Sequence, residues 1–450
     1  MVTDIVILAA GQGTRMCSDM PKVLHGIAGK PMVQHVLDQA KMLDNRRVHI
    51  VIGHGGDRVK EALAGQDVNF IVQQEQLGTG HAVAQALPYL TQGSQVLVLY
   101  GDVPLTPSVI FKNLLAQVND QQMALLTVNL VNPNGYGRIV RDGAGLVTAI
   151  VEQKDANDEQ LKIQEINTGI MALTQPQLAE WLPKLSSENA QGEYYLTDVI
   201  AMASKSGVAV KTAQPDFEQE VQGVNNRQQQ AELERWYQRQ LAEQLMIEGA
   251  SLADPARIDI RGSLTVGRDC FIDINTLFEG DVVLGDGVQI GPNCVIKNST
   301  LGANTQVDAN SVIDGASIAE SCSIGPFARI RPASELKAGA KVGNFVETKK
   351  SVIGVGAKVN HLTYIGDANI GAKVNIGAGT ITCNYDGVNK FKTEIGDGAF
   401  IGSNSSLVAP VSIGANAVVG AGSTITKDVE ADALAVGRGK QIAKAGWKNK

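Results

Sequence analysis

The sequence has few aromatic residues, few cysteines and no long hydrophobic run. Phe, Trp and Tyr together make up 4% of the 450 residues. No apolar run approaches the length of a membrane span, and the start "MVTDIVILAA" lacks the basic region of a signal peptide. The cysteines are odd in number and form no C-x-x-C pair, which argues against a structural zinc site and favours a reducing compartment. They are Cys17, Cys270, Cys294, Cys322 and Cys383. We therefore expect a cytoplasmic protein.

The chain also lacks an excess of positive charge. Its formal net charge is -7 at pH 7, which argues against a nucleic-acid partner and against a basic membrane-surface protein. Small anionic substrates are compatible with this balance, since a few local Lys and Arg side chains suffice to bind them. A chain of this length is expected to form two or three domains.

Residues 1–224 alternate short β-branched runs with amphipathic stretches. Segments such as "DIVILAA" and "QVLVLYGD" are typical of strands buried on both faces, while "MVQHVLDQAKML" and "SVIFKNLLAQV" are typical of helices. This alternation predicts an α/β domain with a mostly parallel, Rossmann-like sheet. Its ligand should lie at the carboxyl ends of the strands.

Residues 225–247 are predicted to form a linker helix that rests on a neighbouring domain. One apolar stripe recurs there at spacings of three and four residues. Its members are Leu233, Trp236, Tyr237, Leu241 and Leu245. The pattern is too short to favour a coiled coil.

The last predicted domain, 248–450, follows a six-residue period. Aliphatic residues hold this period without a slip at Ile395, Ile401, Leu407, Ile413, Val419 and Ile425. Such hexads predict a parallel β-helix of roughly ten coils, whose interior is too narrow for large aromatic rings. The period fails between Ile376 and Ile395, and we expect a projecting loop in that segment.

A glycine loop follows the first predicted strand, in "LAAGQGTRM". It is not a Walker loop, because no Gly-Lys-Ser/Thr follows, and it is not a dinucleotide fingerprint, because Met16 stands where the third Gly is needed. Two alternatives stay open. In one, Gly11 and Gly13 let backbone N–H groups approach a nucleotide while Arg15 and Lys22 supply charge. In the other, the segment is a plain strand-to-helix turn.

At this point the sequence resembles a known family. The segments "LAAGQGTRM", "PKVLH", "QLGTGHA", "YGDVP", "GYGRI" and "INTGI" resemble the signature of sugar-1-phosphate nucleotidyltransferases. Together with the hexads, nearly the whole chain resembles the bacterial family of bifunctional N-acetylglucosamine-1-phosphate uridyltransferases and glucosamine-1-phosphate acetyltransferases. The resemblance implies a left-handed β-helix, a homotrimer, and acetylation of glucosamine-1-phosphate by acetyl-CoA. Transfer of UMP from UTP to the product would then give UDP-N-acetylglucosamine and pyrophosphate, for peptidoglycan and lipopolysaccharide precursors.

The first predicted site centres on Asp102 in "YGDVP". A carboxylate at a strand end suits Mg²⁺, which takes few carboxylates plus phosphate oxygens and water, although a plain turn residue is the alternative. The resemblance implies Asn225 as the second metal ligand, although Asn at a helix start is also a good N-cap. Lys22 and Arg15 would offset charge on the phosphates.

The resemblance further implies a set of residues that bind UTP and the sugar. These are Leu8, Ala9, Gly11, Lys22, Gln74, Gly78, Thr79, Tyr100, Gly101, Asp102, Gly137, Glu152, Asn167 and Asn225. The alternative interpretation of Glu152 is a solvated acid on the surface that does not bind the sugar. Gln12 stands where relatives can carry Lys, and it leaves one fewer charge near the triphosphate.

The second predicted site centres on His361, the only histidine in the second half of the chain. The resemblance makes His361 the general base that takes the proton of the attacking amine, a role that suits an imidazole. It also implies that Arg331, Lys349, Tyr364 and Asn375 bind glucosamine-1-phosphate. Acetyl-CoA would lie in a groove between subunits, lined by Ala378, Asn384, Tyr385, Ser403, Ala421 and Arg438.

The residues around this groove carry two further expectations. The basic tail with Lys440, Lys444 and Lys448 could meet CoA phosphates, with a solvated tail as the alternative. Cys383 would be a bystander.

Two other functions stay open from the sequence alone. A single-activity nucleotidyltransferase would use the β-helix only as a scaffold. A non-catalytic sugar-nucleotide sensor would release no pyrophosphate, although the intact "YGDVP" and Lys22 argue against it.

Overall fold

In a computed structural model the chain divides into two compact units, Met1–Tyr237 and Gln238–Lys450. The structure describes residues 2–11, 13–445 and 447. The division falls inside one helix, between the limits 224 and 248 that the sequence pattern suggested. The sequence-based limits of the domains therefore remain a proposal, and each unit is described by itself.

The first unit alternates strands and helices, as expected. Its strands are β1 (Thr3–Ala9), β2 (Gly26–Ile27), β3 (Lys30–Pro31), β4 (Arg46–Ile52), β5 (Asn69–Val72), β6 (Gln95–Tyr100), β7 (Gln122–Asn129), β8 (Arg138–Arg141), β9 (Val147–Val151), β10 (Glu165–Thr174) and β11 (Ala209–Ala213). Its α-helices are α1 (Met32–Lys41), α2 (Gly56–Ala62), α3 (Thr79–Ala86), α4 (Ser108–Leu115), α5 (Asp158–Leu161), α6 (Gln175–Trp181) and α7 (Asp198–Lys205). Short 3₁₀ turns cover Thr14–Met16, Lys22–Leu24, Leu87–Tyr89, Leu182–Lys184 and Glu218–Val221.

The main sheet of this unit has the strand order β11-β7-β10-β6-β1-β4-β5. The pairs β1–β4, β1–β6 and β4–β5 are parallel, so the carboxyl ends of these strands meet at one edge. A hydrophobic core covers each face, because side chains alternate along every strand. The predicted mostly parallel, Rossmann-like sheet is confirmed.

One part of the sheet is antiparallel, which the pattern did not distinguish. Strand β10 runs against both β6 and β7, and the β8–β9 hairpin pairs with β10. This arrangement places the hairpin beside the carboxyl end of β6. The hairpin carries the "GYGRI" segment to the same edge as the glycine loop.

The predicted linker helix is present as α8 (Arg227–Ile247). Its first half packs within the first unit, where Leu233 is buried and Tyr237 meets His35 edge to face. Its second half packs within the second unit, where Ala242 and Leu245 join the core. Each half of the helix therefore buries its apolar stripe against the unit to which it belongs.

The second unit is a left-handed parallel β-helix. Its sheets stack strands one coil apart, and one of them contains eleven strands over the described residues. The strands are Ser251–Leu252, Ile258–Val266, Phe271–Ile272, Thr276–Leu284, Gln289–Ile290, Val295–Lys297, Thr300–Leu301, Gln306–Val307, Val312–Asp314, Ser317–Ile318, Ser323–Ile324, Arg329–Ile330, Glu335–Leu336, Lys341–Asn344, Glu347–Lys349, Val352–Ile353, Lys358–His361, Tyr364–Gly366, Ala368–Ile370, Asn375–Ile376, Ile381–Cys383, Thr393–Ile395, Phe400–Ile401, Ser406–Val408, Val411–Ile413, Val418–Val419, Thr424–Ile425 and Leu434–Ala435.

The interior of this prism is aliphatic, as the hexads predict. Ile395, Ile401 and Leu407 are among its buried residues. Within the described part of this unit, Phe278 is the one aromatic ring that is buried completely. The predicted loop projects between Cys383 and Thr393, where a strand ends and the next begins.

One corner of the prism carries exposed apolar side chains. Phe327, Phe345 and Leu362 follow one another coil by coil, and each has a left-handed backbone with φ of 55°, 56° and 50°. The two Phe rings stack with centroids 5.2 Å apart. We call these three residues the apolar corner.

Among the described residues, no helix has both the length and the apolar content that crossing a bilayer requires.

Candidate functional site

A cavity of about 460 Å³ opens at the carboxyl ends of β1 and β6. Eight of the residues predicted to bind UTP or the sugar line it, namely Leu8, Ala9, Gly11, Lys22, Gly78, Thr79, Tyr100 and Asp102. Gly101 lies against the wall, since its N–H donates to the Leu8 carbonyl at 2.9 Å. The site therefore forms where parallel sheets usually bind ligands.

The glycine loop positions Lys22. Gly13 has φ of 62°, and a Cβ at this position would lie 2.6 Å from Cβ of Lys22. Only glycine combines this left-handed backbone with so close an approach. The loop therefore presses against the residue that brings a positive charge into the cavity, which favours the nucleotide loop over a plain turn.

Lys22, Asp102 and Asn225 come together although they are far apart in sequence. Nζ of Lys22 donates to Oδ2 of Asp102 and, at 3.2 Å, to Oδ1 of Asn225. Arg15 also donates to Oδ1 of Asn225, at 2.9 Å. Lys22 thus contacts oxygen atoms of both predicted metal ligands, and Arg15 contacts that of Asn225.

The alternative role of Asn225 as a helix cap is taken by its neighbour. Oδ1 of Asn226 accepts from the N–H of Gln229 at 2.9 Å, which is an N-cap contact for α8. The Asn225 side chain points instead to Lys22 and Arg15. Asn225 is therefore not required as the cap of α8.

The donor set suits a hard divalent cation whose remaining ligands come from elsewhere. One carboxylate and one amide oxygen are hard ligands, and Mg²⁺ normally takes one or two carboxylates together with phosphate oxygens and water. Among the described residues no group of three or more His, Cys, Asp or Glu could form a cage for a metal. Asp102 and Asn225 supply two oxygen ligands, which leaves other coordination positions of such an ion to phosphate oxygens and water.

Two glutamines that the sequence did not single out line the cavity. Gln73 is buried, and its Nε2 lies 3.0 Å from Nδ1 of His81 and donates to the Gly78 carbonyl at 3.3 Å. Gln76 lines the cavity as well. The predicted Gln74 is exposed and does not line it. Side chains alternate between the two faces of a strand, and this alternation, continued past Val72, places Gln73 inward and Gln74 outward. It is the signal in the sequence that distinguishes the two residues.

The predicted sugar-binding residues meet beside Tyr100. A Cβ on Gly137 would lie 3.2 Å from Oε1 of Glu152, and the N–H of Asn167 donates to the Gly137 carbonyl at 2.9 Å. Gly169 has φ of 88° and lets the Tyr100 ring pack directly on the backbone. Gly137, Glu152 and Asn167 therefore form one cluster.

The carboxylate and hydroxyl groups of this cluster are poorly solvated. Burial raises the pKa of Glu152, whose Oε1 accepts a hydrogen bond from the Thr197 hydroxyl at 3.2 Å. Burial also raises the pKa of the Tyr100 hydroxyl, and the charges of Glu152 and Asp102 raise it further. Glu152 is thus not the solvated surface acid of the alternative interpretation.

In the second unit, His361 is exposed at the end of a strand and paired with Asn344 on the preceding coil. Its Nδ1 lies 2.7 Å from Oδ1 of Asn344. An amide oxygen only accepts, so with this amide orientation Nδ1 carries the proton and Nε2 is left as the basic nitrogen. Asn344 was missed in the sequence, although it lies one coil before His361.

Three of the four residues predicted to bind glucosamine-1-phosphate lie on neighbouring coils. Arg331 donates to Oε1 of Glu347 at 2.7 Å, and Glu347 pairs in register with Tyr364. Lys349 lies 3.5 Å from Oδ2 of Asp367. Arg331, Lys349 and Tyr364 therefore share one face.

Asn375 lies elsewhere on the prism. It pairs with Lys358, in the same sheet as His361. The structure thus does not place it beside the other three residues within one chain.

The projecting loop adds polar groups to the face that carries Arg331, Lys349 and Tyr364. Asn384 is buried and donates to Asp367, while Tyr385 is exposed. A hydrogen bond with Lys349, and repulsion between the two amino groups, lower the pKa of Lys390. Lys390 was not predicted, although its place in the predicted loop pointed to it. Lys390 therefore lies close to Lys349 on this face.

The remaining residues predicted to bind acetyl-CoA follow the axis of the prism. Ser403 stacks on the coil of Ala378, and Ala421 on the coil of Ser403. Arg438 donates from Nη1 to the Ala421 carbonyl at 2.7 Å, so the side chain of Arg438 lies along this line. Gln12 and Lys448 lie outside the described residues.

Comparisons with known proteins found relatives along the whole chain. The model of the MobA-like NTP transferase domain matches residues 5–159, that of the GMPPB C-terminal domain matches 259–344, and that of the bacterial transferase hexapeptide (six repeats) matches 392–427. The bifunctional protein GlmU of Saccharophagus degradans is 65% identical over 444 residues, which cover 99% of this chain and 98% of the relative. That of Marinobacter nauticus is 61% identical over 443 residues, covering 98% of each. A solved nucleotidyl transferase from Methanothermobacter thermautotroptrophicus covers 53% of this chain and 99% of its own, with 16% identity and a TM-score of 0.40.

Proposed function

The chain belongs to the family of the bifunctional GlmU proteins, and from that premise we propose which residues carry its two activities. It is a bifunctional transferase. One activity acetylates glucosamine-1-phosphate with acetyl-CoA. The other transfers UMP from UTP to N-acetylglucosamine-1-phosphate, giving UDP-N-acetylglucosamine and pyrophosphate. The observation that supports two sites is that each unit has its own cluster of reactive side chains.

The cavity of the first unit is proposed to carry uridyl transfer. A phosphate oxygen of the sugar forms a bond to the α-phosphorus of UTP, and the bond from that phosphorus to the oxygen bridging to the β-phosphate breaks. Lys22 and Arg15 stabilise charge on the phosphates, while Glu152 and Asn167 orient the sugar. Asp102 and Asn225 would hold a Mg²⁺ ion, which would offset the phosphate charge further.

The strand end at His361, together with the neighbouring face that carries Arg331 and Lys349, is proposed to carry acetyl transfer. Nε2 of His361 takes the proton of the glucosamine amine as the nitrogen attacks the thioester carbonyl. The carbon–sulfur bond then breaks and CoA leaves as the thiol. Asn344 holds the imidazole tautomer that keeps Nε2 free. Arg331 and Lys349 would bind the phosphate of the acceptor.

We propose that the enzyme is a homotrimer that associates through the β-helix. The apolar corner supports this, because Phe327, Phe345 and Leu362 are 49%, 55% and 64% exposed in the single chain. Exposed apolar patches of this kind are typical of association surfaces. A trimer would also place a second prism beside Ala378 and Ser403, which forms the groove for acetyl-CoA, and it would allow Asn375 to act from a neighbouring subunit.

We propose a cytoplasmic location, where UTP and acetyl-CoA are made. The free thiols of Cys17, Cys270, Cys294, Cys322 and Cys383 are consistent with a reducing compartment.

The assignment is tested by following free thiol and pyrophosphate separately on the purified chain, with glucosamine-1-phosphate, acetyl-CoA, UTP and Mg²⁺. Thiol release should persist without UTP. His361→Ala should abolish thiol release and leave pyrophosphate release from N-acetylglucosamine-1-phosphate intact, while the exposed control Gln306→Ala should change neither. Thiol release that survives His361→Ala would overturn the role of His361, and its absence in the wild type would leave the β-helix a scaffold.

A further inference from the structure

The helix α8 begins two residues after Asn225, which is proposed to hold the metal of the uridyl-transfer site. Residues 228–230, in its first turn, are three consecutive glutamines. Their side chains make different contacts, although the three residues are chemically identical. Two of them contact segments that carry residues of the proposed site, and the third contacts another residue of its own helix.

Gln229 holds the main chain of Asn225. Its Oε1 accepts a hydrogen bond from the N–H of Asn225 at 2.8 Å, while its own N–H donates to Oδ1 of Asn226 at 2.9 Å. On the other side of Asn225, the N–H of Val224 donates to the Asp102 carbonyl at 2.9 Å. The main chain around Asn225 is therefore bound both to α8 and to the residue that supplies the proposed carboxylate ligand.

A second set of contacts holds α8 against the chain segment that follows Lys22. Nε2 of Gln230 donates to the Gly26 carbonyl at 2.8 Å. Four residues further along the helix, Oε2 of Glu234 accepts from the N–H of Ala28 at 2.6 Å. Residues four apart share one face of a helix, so one face of α8 lies along this segment.

Arg227 adds contacts on both sides of Lys22, from a position three residues before Gln230 on the same helix face. Its Nε donates to the Met16 carbonyl at 3.3 Å, and its Nη1 lies 3.1 Å from Nδ1 of His25. A guanidinium group only donates, so Nδ1 of His25 accepts. Since Met16 precedes Lys22 in the chain and His25 follows it, the segment around Lys22 is bound to α8 on both sides.

These contacts act on a site whose parts are far apart in the chain. Nζ of Lys22 donates to Oδ1 of Asn225 although 203 residues separate them in sequence. Asn225 lies in neither a strand nor a helix. No strand register or helix geometry orients its side chain, so its direction depends on the contacts of its neighbours. Groups that orient a metal ligand typically change metal affinity or activity by 10- to 100-fold.

We propose that α8 is a positioning element of the uridyl-transfer site, in which Gln229 and Gln230 hold Asn225 in the orientation that binds the metal. Gln229 acts on the main chain of Asn225. Gln230 acts by holding the helix against the segment of Lys22. Both act through Asn225 and are positioning residues, and the inference rests on the proposed role of Asn225 as a metal ligand.

Gln228 is the matched control within the same three glutamines. It is exposed, and its Nε2 donates to Oε1 of Glu232 at 2.9 Å, so this contact stays within α8. Replacing any one of the three glutamines with alanine removes one neutral amide, and the net charge near the metal is the same in every variant. Alanine is also a good helix former, so each variant should keep α8.

The test measures Mn²⁺ binding to the full chain by electron paramagnetic resonance. We expect Gln229→Ala and Gln230→Ala to bind Mn²⁺ about tenfold more weakly than the wild type, and Gln228→Ala to bind it as tightly. For pyrophosphate release, the first two variants should need about tenfold more Mg²⁺ and should reach the wild-type kcat when Mg²⁺ is saturating, because only metal binding is weakened. Thiol release should be unchanged in all three.

Urea unfolding of the same proteins separates positioning from a loss of stability. Because Gln229→Ala and Gln230→Ala remove different hydrogen bonds, either variant alone decides the outcome if the other is unstable. Mn²⁺ binding equal to that of Gln228→Ala would overturn the inference and leave the proposed function in place. Mn²⁺ binding that survives Asp102→Asn would instead overturn the proposed metal site, and this inference with it.

Discussion

Lys22 donates through Nζ to Oδ2 of Asp102, so an ammonium group of the chain contacts the carboxylate that is proposed to bind the metal. The same ammonium group reaches Oδ1 of Asn225. Lys22 and a metal ion would thus compete for the same oxygen atoms. Lys22 is expected to move from Asp102 to the phosphates when metal and UTP bind, because both cations cannot share one site without repulsion.

Replacing Lys22 should separate metal binding from catalysis. In Lys22→Met we expect Mn²⁺ to bind at least as tightly as in the wild type, because the competing cation is gone. Pyrophosphate release should fall by about 100-fold, the usual effect of removing a group that stabilises transition-state charge. Asp102→Asn should lose both Mn²⁺ binding and pyrophosphate release. Mn²⁺ binding is measured by electron paramagnetic resonance, with Lys112→Met as the exposed control. Weaker Mn²⁺ binding in Lys22→Met would contradict the competition.

Asn344→Ala should impair acetyl transfer through His361. The hydrogen bond to Nδ1 would be lost, so the tautomer with a free Nε2 would no longer be favoured. We expect kcat for thiol release to fall about 10-fold with a changed pH profile, and pyrophosphate release to stay as in the wild type. Steady-state kinetics over a range of pH measures this. Asn416→Ala, on the same prism, is the control. If Asn344→Ala reduced thiol release without changing its pH profile, the role of Asn344 would be merely structural.

The buried Arg138 should position the sugar-binding cluster. It is fully buried, donates to the Tyr136 carbonyl, and contacts Oε1 of Gln153 at 2.8 Å. Tyr136 precedes Gly137 in the chain, and Gln153 follows Glu152. Arg138 therefore links the segment that carries Gly137 to the segment that carries Glu152.

Gln153→Ala should raise KM for N-acetylglucosamine-1-phosphate about 10-fold while KM for UTP changes little, since only binding of the sugar is loosened. Lys154→Ala, at the next and exposed position, is the matched control. Initial rates with each substrate varied in turn measure the effect. Equal increases in both KM values would show that Gln153 acts on the whole cavity instead.

Glu152 should make stability depend on pH. Burial raises its pKa in the folded state above the unfolded value of about 4.3. Between those two values the folded state binds more protons, so the free energy of unfolding should fall as pH rises through this window. Glu152→Gln should remove that slope. Urea unfolding at successive pH values checks it, with the exposed Glu159→Gln as the control, and an unchanged slope in Glu152→Gln would count against the assignment.

The apolar corner should control assembly. On the preceding coils the equivalent left-handed positions are Asn293 and Asn310, and Asn adopts this backbone more readily than Phe. Phe327→Asn/Phe345→Asn should therefore leave the single chain folded but dissociate the proposed trimer. Sedimentation should show monomers, with acetyl transfer reduced and uridyl transfer kept. Val355→Thr, another exposed position of the prism, is the control. A double variant that remains trimeric would place the interface elsewhere.

Periodic features of this chain were predictable, and isolated contacts were not. The slip between Ile376 and Ile395 revealed the projecting loop, because a coil has a fixed length that the extra residues exceed. By contrast, Gln73 and Gln76 line the nucleotide cavity instead of Gln74. Which of several neighbouring amides faces inward depends on where β5 ends, and strand ends are the least predictable part of a pattern.

Contacts across coils illustrate the same limit. Asn344 precedes His361 by one coil, but the coils contain 17 or 18 residues. A shift of a single residue places a different side chain beside the imidazole. The partner of His361 could therefore be narrowed to a few positions from sequence, and only the register of the strands identified it.

The stacking of coils has a consequence for how the second unit folds. Hydrogen bonds between its neighbouring coils join residues 14 to 18 apart in sequence, and at the projecting loop the separation grows only to 25. In the first unit β1 pairs with β6, roughly 90 residues away, as Thr3 with Gln95 shows. Loop closure is therefore cheaper at each step along the prism, and the stack can grow from any nucleus one turn at a time. The prism should therefore gain structure progressively, one coil after another. The sheet of the first unit should form later, because β1 has to pair with a strand that is distant in sequence.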